Sequence, residues 1–166
     1  TQGGDNRFYF NVFVGTGASD QPSAEQRATA GNRPGFGLWV YDRRPLPLQT
    51  EGNVYYFGAS PYEQEQNPIV RADHDPAVRL EQQEDRRELS ITLDALFGDQ
   101  PVGATGGLVT TERLGAAAVS GQIFENADGS PILIDSDYLG KKRDPEQPTA
   151  GPFEAPGSGT LKLRVW

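Results

Sequence analysis

Hydrophobic and polar residues alternate with a period of two along much of the chain, which is the pattern of half-buried β-strands. In residues 7–14 every even position, from Phe8 to Val14, is apolar. Residues 159–166 alternate in the same way up to the last residue. Both stretches are therefore predicted to be strands, each with one face turned to a core.

Further stretches rich in aromatic and β-branched residues predict strands between these two. They are residues 36–41, 53–58, 76–80, 87–94, 107–112, 116–125 and 131–136. Asp128-Gly129, between the last two, predicts a hairpin turn because glycine readily takes a positive φ. One helical turn is predicted at residues 94–98, with Asp94 as its cap and Gly98 as its end.

Eight or nine short strands, with turn signals between them and no alternation of strand and helix, predict an all-β fold. We expect an antiparallel β-sandwich of the jelly-roll type, formed by one domain over residues 1–166. Two segments have no period, residues 15–35 and 140–159, and are predicted to be long loops. Loops of this length are usually functional, or become ordered against a partner.

Charge and composition narrow the classes of function. The 166 residues carry a net charge of −8, which repels phosphate backbones and argues against nucleic acid as a partner. No apolar run approaches the roughly 20 residues of a membrane span. The chain has no cysteine, which excludes disulfides, thiolate metal sites and cysteine nucleophiles.

The single histidine of the sequence, His74, lies between Asp73 and Asp75. A Ser-His-Asp triad would need this residue as its base, but the Gly-x-Ser-x-Gly frame is absent. Pro76 follows the triplet and restricts the backbone before it to extended conformations. The sequence therefore predicts a polar connection between two short strands here. Because it contains no catalytic motif, we expect a protein that is not an enzyme and needs no cofactor.

Calcium is the metal that this composition favours, because calcium can be bound by oxygen ligands alone. The candidate ligands surround the predicted hairpin and are Glu125, Asn126, Asp128, Asp135 and Asp137. Their spacing departs from that of an EF-hand, since Phe124 occupies the place of the first ligand. The alternative is a plain Asp-Gly hairpin followed by a solvated, acidic strand end.

Aromatic residues provide a second candidate site. If the even positions of residues 36–41 and 53–58 face inward, the outer face of the sheet carries four rings, those of Trp39, Tyr41, Tyr55 and Phe57. Together with Arg43, Arg44 and Trp166 they would form a platform for a protein or another ligand. Exposed rings on a sheet suit stacking on a sugar or contact with a protein. The alternative is that the opposite sheet and the long loops bury both faces.

Three hypotheses about function follow from these features. The sequence favours a structural or assembly subunit of a capsid, surface layer or extracellular fibre, which self-associates or binds a homologous subunit. The alternative is a secreted carbohydrate-binding β-sandwich module with a glycan as its partner, and the second alternative is a carboxylate- or calcium-dependent enzyme. The first two favour an extracellular, cell-surface or virion location over the cytoplasm.

Overall fold

The computed structural model describes residues 5–17, 21–29, 35–83, 85–99 and 107–165. The strands in these ranges are β1 (Asn6–Tyr9), β2 (Val12–Val14), β3 (Leu48–Glu51), β4 (Val54–Tyr56), β5 (Ile69–Arg71), β6 (Arg79–Gln83), β7 (Arg86–Leu93), β8 (Val109–Thr110), β9 (Leu133–Ile134) and β10 (Gly159–Arg164). The helices are α1 (Ala24–Ala28), α2 (Leu96–Asp99) and α3 (Thr111–Leu114), with one 3₁₀ turn at Leu38–Tyr41. The predicted all-β class is confirmed.

The N-terminal strands stack in parallel and in register. β1 pairs with β3, and β2 with β4 at the same offset, so residues 6–14 run beside residues 48–56. β5 adds a third layer beside β4. Equivalent side chains therefore lie next to each other: the rings of Phe13 and Tyr55 are stacked with their centroids 5.2 Å apart. We call this part of the molecule the parallel stack.

A kink at Phe10 separates β1 from β2. Its φ of 57° lies in the left-handed region, which interrupts an extended strand. Beyond the kink the parity of the side chains changes, so that Phe8 and Phe13 contact each other on one side of the stack. Phe10 and Val12 lie on the other side. The prediction of one continuous strand with an even-numbered inner face is therefore wrong.

The strands of the C-terminal half pair antiparallel, as predicted. β7 lies between β6 and β10, with Leu89 next to Leu80 and Leu163 in the register of the sheet. β8 and β9 form a two-stranded ribbon in which Val109 lies opposite Ile134. The predicted turn at Asp128-Gly129 is present, with a φ of 81° at Gly129.

An antiparallel jelly roll is not what the chain forms, because the stack from β1 to β5 is parallel. The period of two cannot reveal this difference, since side chains alternate in the same way in parallel and antiparallel strands. The described ranges hold ten strands rather than eight or nine. Two of these, β3 and β5, are short segments that carry little strand signal. They lie next to Gly and Pro residues.

Helical structure is more frequent than the single predicted turn. A helical turn is present as α2, where the Asp94 carboxylate accepts a hydrogen bond from the backbone N–H of Leu96 at 3.3 Å, but α2 runs through the predicted end at Gly98 to Asp99. The predicted strand at residues 36–41 is instead the 3₁₀ turn, and α3 replaces the end of the predicted strand at 107–112. α1 lies within the predicted loop 15–35. None of the described helices is long and apolar enough to cross a membrane.

The parallel stack separates two hydrophobic clusters. Val54 and Tyr56 of β4 face the antiparallel half and pack with residues such as Leu93. Tyr55 points to the opposite side, where it packs with Leu38 of the 3₁₀ turn and with other buried residues. All three residues of β4 are fully buried. β4 is therefore covered on both faces, whereas Val70 and Arg71 of β5 are exposed.

Candidate binding cavity

A cavity of about 330 Å³ lies where the first layer of the parallel stack meets the ribbon of β8 and β9 and the loop after it. This volume is within the range of small-molecule sites. The residues that line it are Tyr9, Phe10, Asn11, Val12, Val109, Ile134, Arg143, Pro148, Gly151 and Pro152. Four separate parts of the sequence, residues 9–12, Val109, Ile134 and residues 143–152, thus form one cavity.

Arg143 fixes the loop that forms one side of the cavity. Its Nη1 donates to the carbonyl of Thr149 at 2.7 Å, and its Nη2 to the carbonyl of Gly151 at 2.8 Å. The Glu154 carboxylate lies 3.5 Å from Nη1 and accepts from the backbone N–H of Thr149 at 2.9 Å. The Gly151 N–H donates to the carbonyl of Phe10 at 2.6 Å. An irregular segment is thereby tied to the parallel stack.

The close approach of this loop to β2 depends on Gly151. Its φ is 92°, a conformation that favours glycine. A Cβ at this position would lie 3.0 Å from Cγ2 of Val12. Buried Pro148 lies nearby in the same wall. Glycine therefore allows the loop to close over the apolar side of the cavity.

Tyr9 and Phe10 are the aromatic residues among those that line the cavity. The guanidinium carbon of Arg113 lies 5.2 Å from the centre of the Tyr9 ring and 4.9 Å from that of Phe10. Arg113 also forms an ion pair with Glu51 at 2.6 Å. Burial raises the pKa of the Tyr9 hydroxyl, which lies 3.5 Å from Oε1 of Gln49 and 3.5 Å from the carbonyl of Arg113. An aromatic surface beside polar groups suits a small ligand that has both apolar faces and hydroxyls.

Asn11 also lines the cavity on its stack side. Its Nδ2 donates to Oδ1 of Asn53 at 3.0 Å and to the carbonyl of Tyr9 at 3.2 Å. The backbone N–H of Asn11 donates to the same Oδ1 of Asn53 at 2.8 Å. The two asparagines occupy equivalent positions in adjacent layers of the stack. Asn11 is therefore held in place from within the fold.

Behind Asn53 lies the buried carboxylate of Glu65. Glu65 Oε1 accepts from Nδ2 of Asn53 at 2.6 Å and from its backbone N–H at 3.2 Å. Glu65 Oε2 accepts from the hydroxyl of Tyr55. Burial raises the pKa of Glu65, although these hydrogen bonds act in the opposite direction. The network runs from the core to the cavity wall through Asn53 and Asn11.

The predicted aromatic platform does not form. Trp39 and Tyr55 are only 2% and 0% exposed, so neither ring is accessible to a ligand. Tyr41 and Phe57 are partly buried and pack against different hydrophobic clusters. The reason is local: residues 36–41 are not a strand, and β4 is covered on both faces. The alternative reading of the sequence, that these rings are buried, describes the structure better.

The other predicted platform residues are placed separately. Arg43 and Arg44 are exposed on the surface after the 3₁₀ turn, and Arg43 forms an ion pair with Glu63 at 2.8 Å. Trp166 lies outside the described residues. Neither Arg43 nor Arg44 lines the cavity.

The predicted calcium ligands do not converge in the structure. Asp128 accepts from the Ser130 hydroxyl at 2.7 Å, and Asp135 pairs with Lys142 at 2.6 Å. The remaining candidates are Glu125 and Asn126, which are exposed, and Asp137, whose carboxylate accepts backbone N–H groups of its own turn. Within the described ranges, no group of three or more acidic or histidine side chains could hold a metal ion.

His74 lies in the predicted connection between two strands, β5 and β6. Its ring packs on Tyr56, with the ring centroids 4.7 Å apart. Its Nε2 lies 2.9 Å from the carbonyl oxygen of Thr92 in β7. The histidine thus links the parallel stack to the antiparallel sheet, which is a structural contact.

Sequence reasoning missed Tyr9, Asn11 and Arg143 as site residues. One signal was available: Asn-Val followed by an aromatic residue occurs at residues 11–13 and again at 53–55. The repeat marks equivalent positions in two stacked layers, and so it points to the pair of asparagines. No comparable signal marks Arg143, because its partners are backbone carbonyls.

Comparison with known proteins gave one similar structure. No protein-family model matches the chain, and no curated protein matches it. The solved structure of XylC in complex with xylose is 28% identical to the chain, with a TM-score of 0.72. The similarity covers 100% of this chain and 27% of XylC. The chain thus spans about a quarter of the length of the protein it resembles.

Proposed function

We propose that this chain binds carbohydrate of the xylose class, in the cavity bounded by Tyr9, Asn11 and Arg143. The observation that carries the proposal is the similarity to XylC, which extends over the whole chain and comes from a complex with xylose. The volume of the cavity suits a small ligand. The aromatic and polar residues among those that line it suit the apolar face and the hydroxyls of a sugar. Of the three hypotheses from the sequence, the carbohydrate-binding alternative is therefore preferred.

The cavity supports binding rather than hydrolysis. None of the described residues that line it is acidic, whereas most glycoside hydrolases use two carboxylates that flank the scissile bond. The nearby carboxylate of Glu154 accepts from two backbone N–H groups and lies beside Arg143. We therefore assign this chain a binding role. The activity of any longer protein that contains it is a separate question.

Filling the cavity tests the proposal. Ile134 lines the cavity and is 48% exposed, so the folded structure should tolerate Ile134→Trp. We expect the indole to occupy the ligand space and to lower the affinity for xylose by more than about tenfold. Isothermal titration calorimetry with xylose measures the effect.

Ile123→Trp is the matched control for this experiment. Ile123 is 58% exposed in the same half of the molecule and does not line the cavity, so this variant should bind xylose as the wild type does. Equal affinities of the Ile134→Trp and Ile123→Trp variants, or a wild type that binds no xylose, would contradict the proposed function.

Self-association is a second candidate function, in line with an assembly subunit. Several large apolar side chains are exposed in residues 119–139, namely Val119, Ile123, Leu133, Tyr138 and Leu139. Exposed apolar side chains are typical of a protein contact where they adjoin one another. Light scattering over a range of protein concentrations separates the two functions. A mass that stays that of a monomer argues against assembly and does not bear on the proposal of sugar binding.

A further inference from the structure

We propose that β6 pairs edge to edge with β6 of a second copy of this chain, antiparallel and centred on Leu80. The contact joins two copies of the sheet formed by β10, β7 and β6 into one continuous sheet. It lies apart from the cavity, since no described residue of β6 lines the cavity. The inference therefore goes beyond sugar binding and does not depend on it.

β6 is an edge strand of its sheet. It pairs with β7 on one side, and no described strand lies on its other side. In an antiparallel pair, every second residue directs its N–H and C=O groups away from the partner strand. No backbone–backbone hydrogen bond leads from residues 79–82 to a described residue outside the sheet, and these residues are exposed. The edge is thus accessible to another strand.

The sequence of β6 is complementary to itself when two copies run antiparallel. Arg79 and Glu81 lie on the same face of the strand, one on either side of Leu80. A two-fold axis at Leu80 places Arg79 of each copy directly opposite Glu81 of the other. Opposite charges in directly opposed positions stabilise an antiparallel pair. The symmetry forms this contact twice.

Neither of these two charges has a counterion among the described residues. The register places Glu81 opposite Glu88, another acid, and Arg79 opposite Ser90. Glu88 has Lys162 of β10 at 4.0 Å, whereas no described cation forms an ion pair with Glu81 and no described acid forms one with Arg79. A second copy supplies the missing partner of each charge.

The opposite face of β6 adds an apolar contact at the axis. Leu80 is 52% exposed, whereas Leu89 and Leu163, which lie in the same row across the sheet, are partly buried. At the axis, Leu80 of one copy lies beside Leu80 of the other, and the row of leucines continues into the second sheet. The contact thus covers an apolar side chain that the single chain leaves in water.

The other edge of the same sheet lacks this complementarity. β10 carries Lys162 and Arg164 on either side of Leu163. An antiparallel pair of two β10 strands centred on Leu163 places like charges opposite each other, which destabilises the pair. Charged side chains of this kind protect edge strands from association. The charge pattern therefore favours β6 as the edge that pairs.

Pairing through one short strand is a small contact, below the standard interface of about 1,600 Å². We therefore expect a weak dimer whose fraction rises with protein concentration. Analytical ultracentrifugation of the wild-type chain over a range of concentrations measures it. The net charge of −8 makes two copies repel each other, so the buffer should contain about 0.15 M salt, which screens this repulsion beyond about 8 Å.

Charge reversal in two separate variants tests the register. Arg79→Glu and Glu81→Arg each place like charges opposite each other, so each variant alone should dimerise at least about tenfold more weakly than the wild type. An equimolar mixture of the two should form a heterodimer, because two glutamates of one copy then face two arginines of the other. Lys142→Glu reverses an exposed charge outside β6. It controls for net charge and should dimerise as the wild type does.

Hydrogen exchange of the wild type is a second measurement that needs no variant. The backbone amides of residues 79–82 should exchange more slowly at high than at low protein concentration, because pairing protects the edge. The amides of residues 161–164 in β10 should show no such dependence.

A wild type that stays monomeric at the highest concentration reached would overturn the inference, and this result does not bear on the proposed sugar binding. A mass that grows beyond that of a dimer also contradicts it, since a two-fold contact closes on itself. So does a mixture of Arg79→Glu and Glu81→Arg that does not associate, although both variants show the circular dichroism spectrum of the wild type. If a variant fails to fold, exchange in residues 79–82 that is independent of concentration overturns the inference.

Discussion

Most polar side chains of the described residues form hydrogen bonds with the backbone of the chain. These bonds determine which side chains are available to a ligand. Asp137 illustrates the point, because its carboxylate accepts from the backbone N–H groups of Leu139, Lys141 and Glu154. The sequence shows where acidic residues occur, but it does not show that they organise turns. For this reason the residues predicted to bind calcium do not lie together in a cluster. His74, in contrast, was placed correctly because Pro76 restricts its surroundings locally.

Glu65 provides a prediction at this scale. Because burial raises its pKa, the folded chain binds this proton more tightly than the unfolded chain does. The protonated carboxyl therefore favours folding at low pH, and this contribution is lost as the pH rises from the ordinary glutamate range through the raised pKa. We expect the free energy of unfolding of the wild type, relative to Glu65→Gln, to fall across that window.

Chemical denaturation of both proteins at several pH values measures this difference. Glu63→Gln, two positions away on the surface, controls for the loss of one negative charge. A difference between wild type and Glu65→Gln that stays constant or grows with pH would show that burial does not dominate at Glu65.

Secondary structure elements could be predicted where the period is long, as in β7 and β10, and not where it is interrupted. The left-handed residue Phe10 divides one apparent strand into two. The period of two is the same in parallel and antiparallel strands and does not reveal the direction of pairing. The parallel stack was therefore not predicted. The loop 140–159 was correctly predicted to lack regular structure, but its fixed conformation was not foreseen. That conformation depends on hydrogen bonds from Arg143 to distant carbonyls.

Arg143→Lys tests whether this residue holds the loop. A lysine can no longer donate from two separate nitrogens to the carbonyls of Thr149 and Gly151, and one of these groups is left unpaired. An unsatisfied buried carbonyl costs about 1–3 kcal/mol, so the free energy of unfolding should fall by about this amount. Hydrogen exchange of the backbone amides of Thr149, Ala150 and Gly151 should become faster.

The matched control is Arg164→Lys, because Arg164 is exposed on β10. Denaturation curves and exchange rates are compared among the two variants and the wild type. If the Arg143→Lys variant is as stable as the Arg164→Lys variant, and the amides of its loop exchange equally slowly, the loop is held by other contacts.

At the scale of the whole molecule, the cavity belongs to the junction of the parallel stack with the antiparallel half. Its walls come from residues 9–12, from the ribbon of β8 and β9, and from residues 143–152. These segments are far apart in sequence, and only the packing of the two halves brings them together. No local sequence pattern could therefore predict the site. The types of residue that form it are also ordinary. The similarity to XylC spans both halves, so it includes all the segments that form the junction.

The most direct test of the central claim is a crystal structure of the chain grown with saturating xylose. The proposed function predicts electron density for one sugar in the cavity, in contact with lining residues such as Tyr9, Ile134 and Pro152. Density for xylose only at another position, or an empty cavity in a crystal where Tyr9, Ile134 and Pro152 are free of lattice contacts, would contradict it.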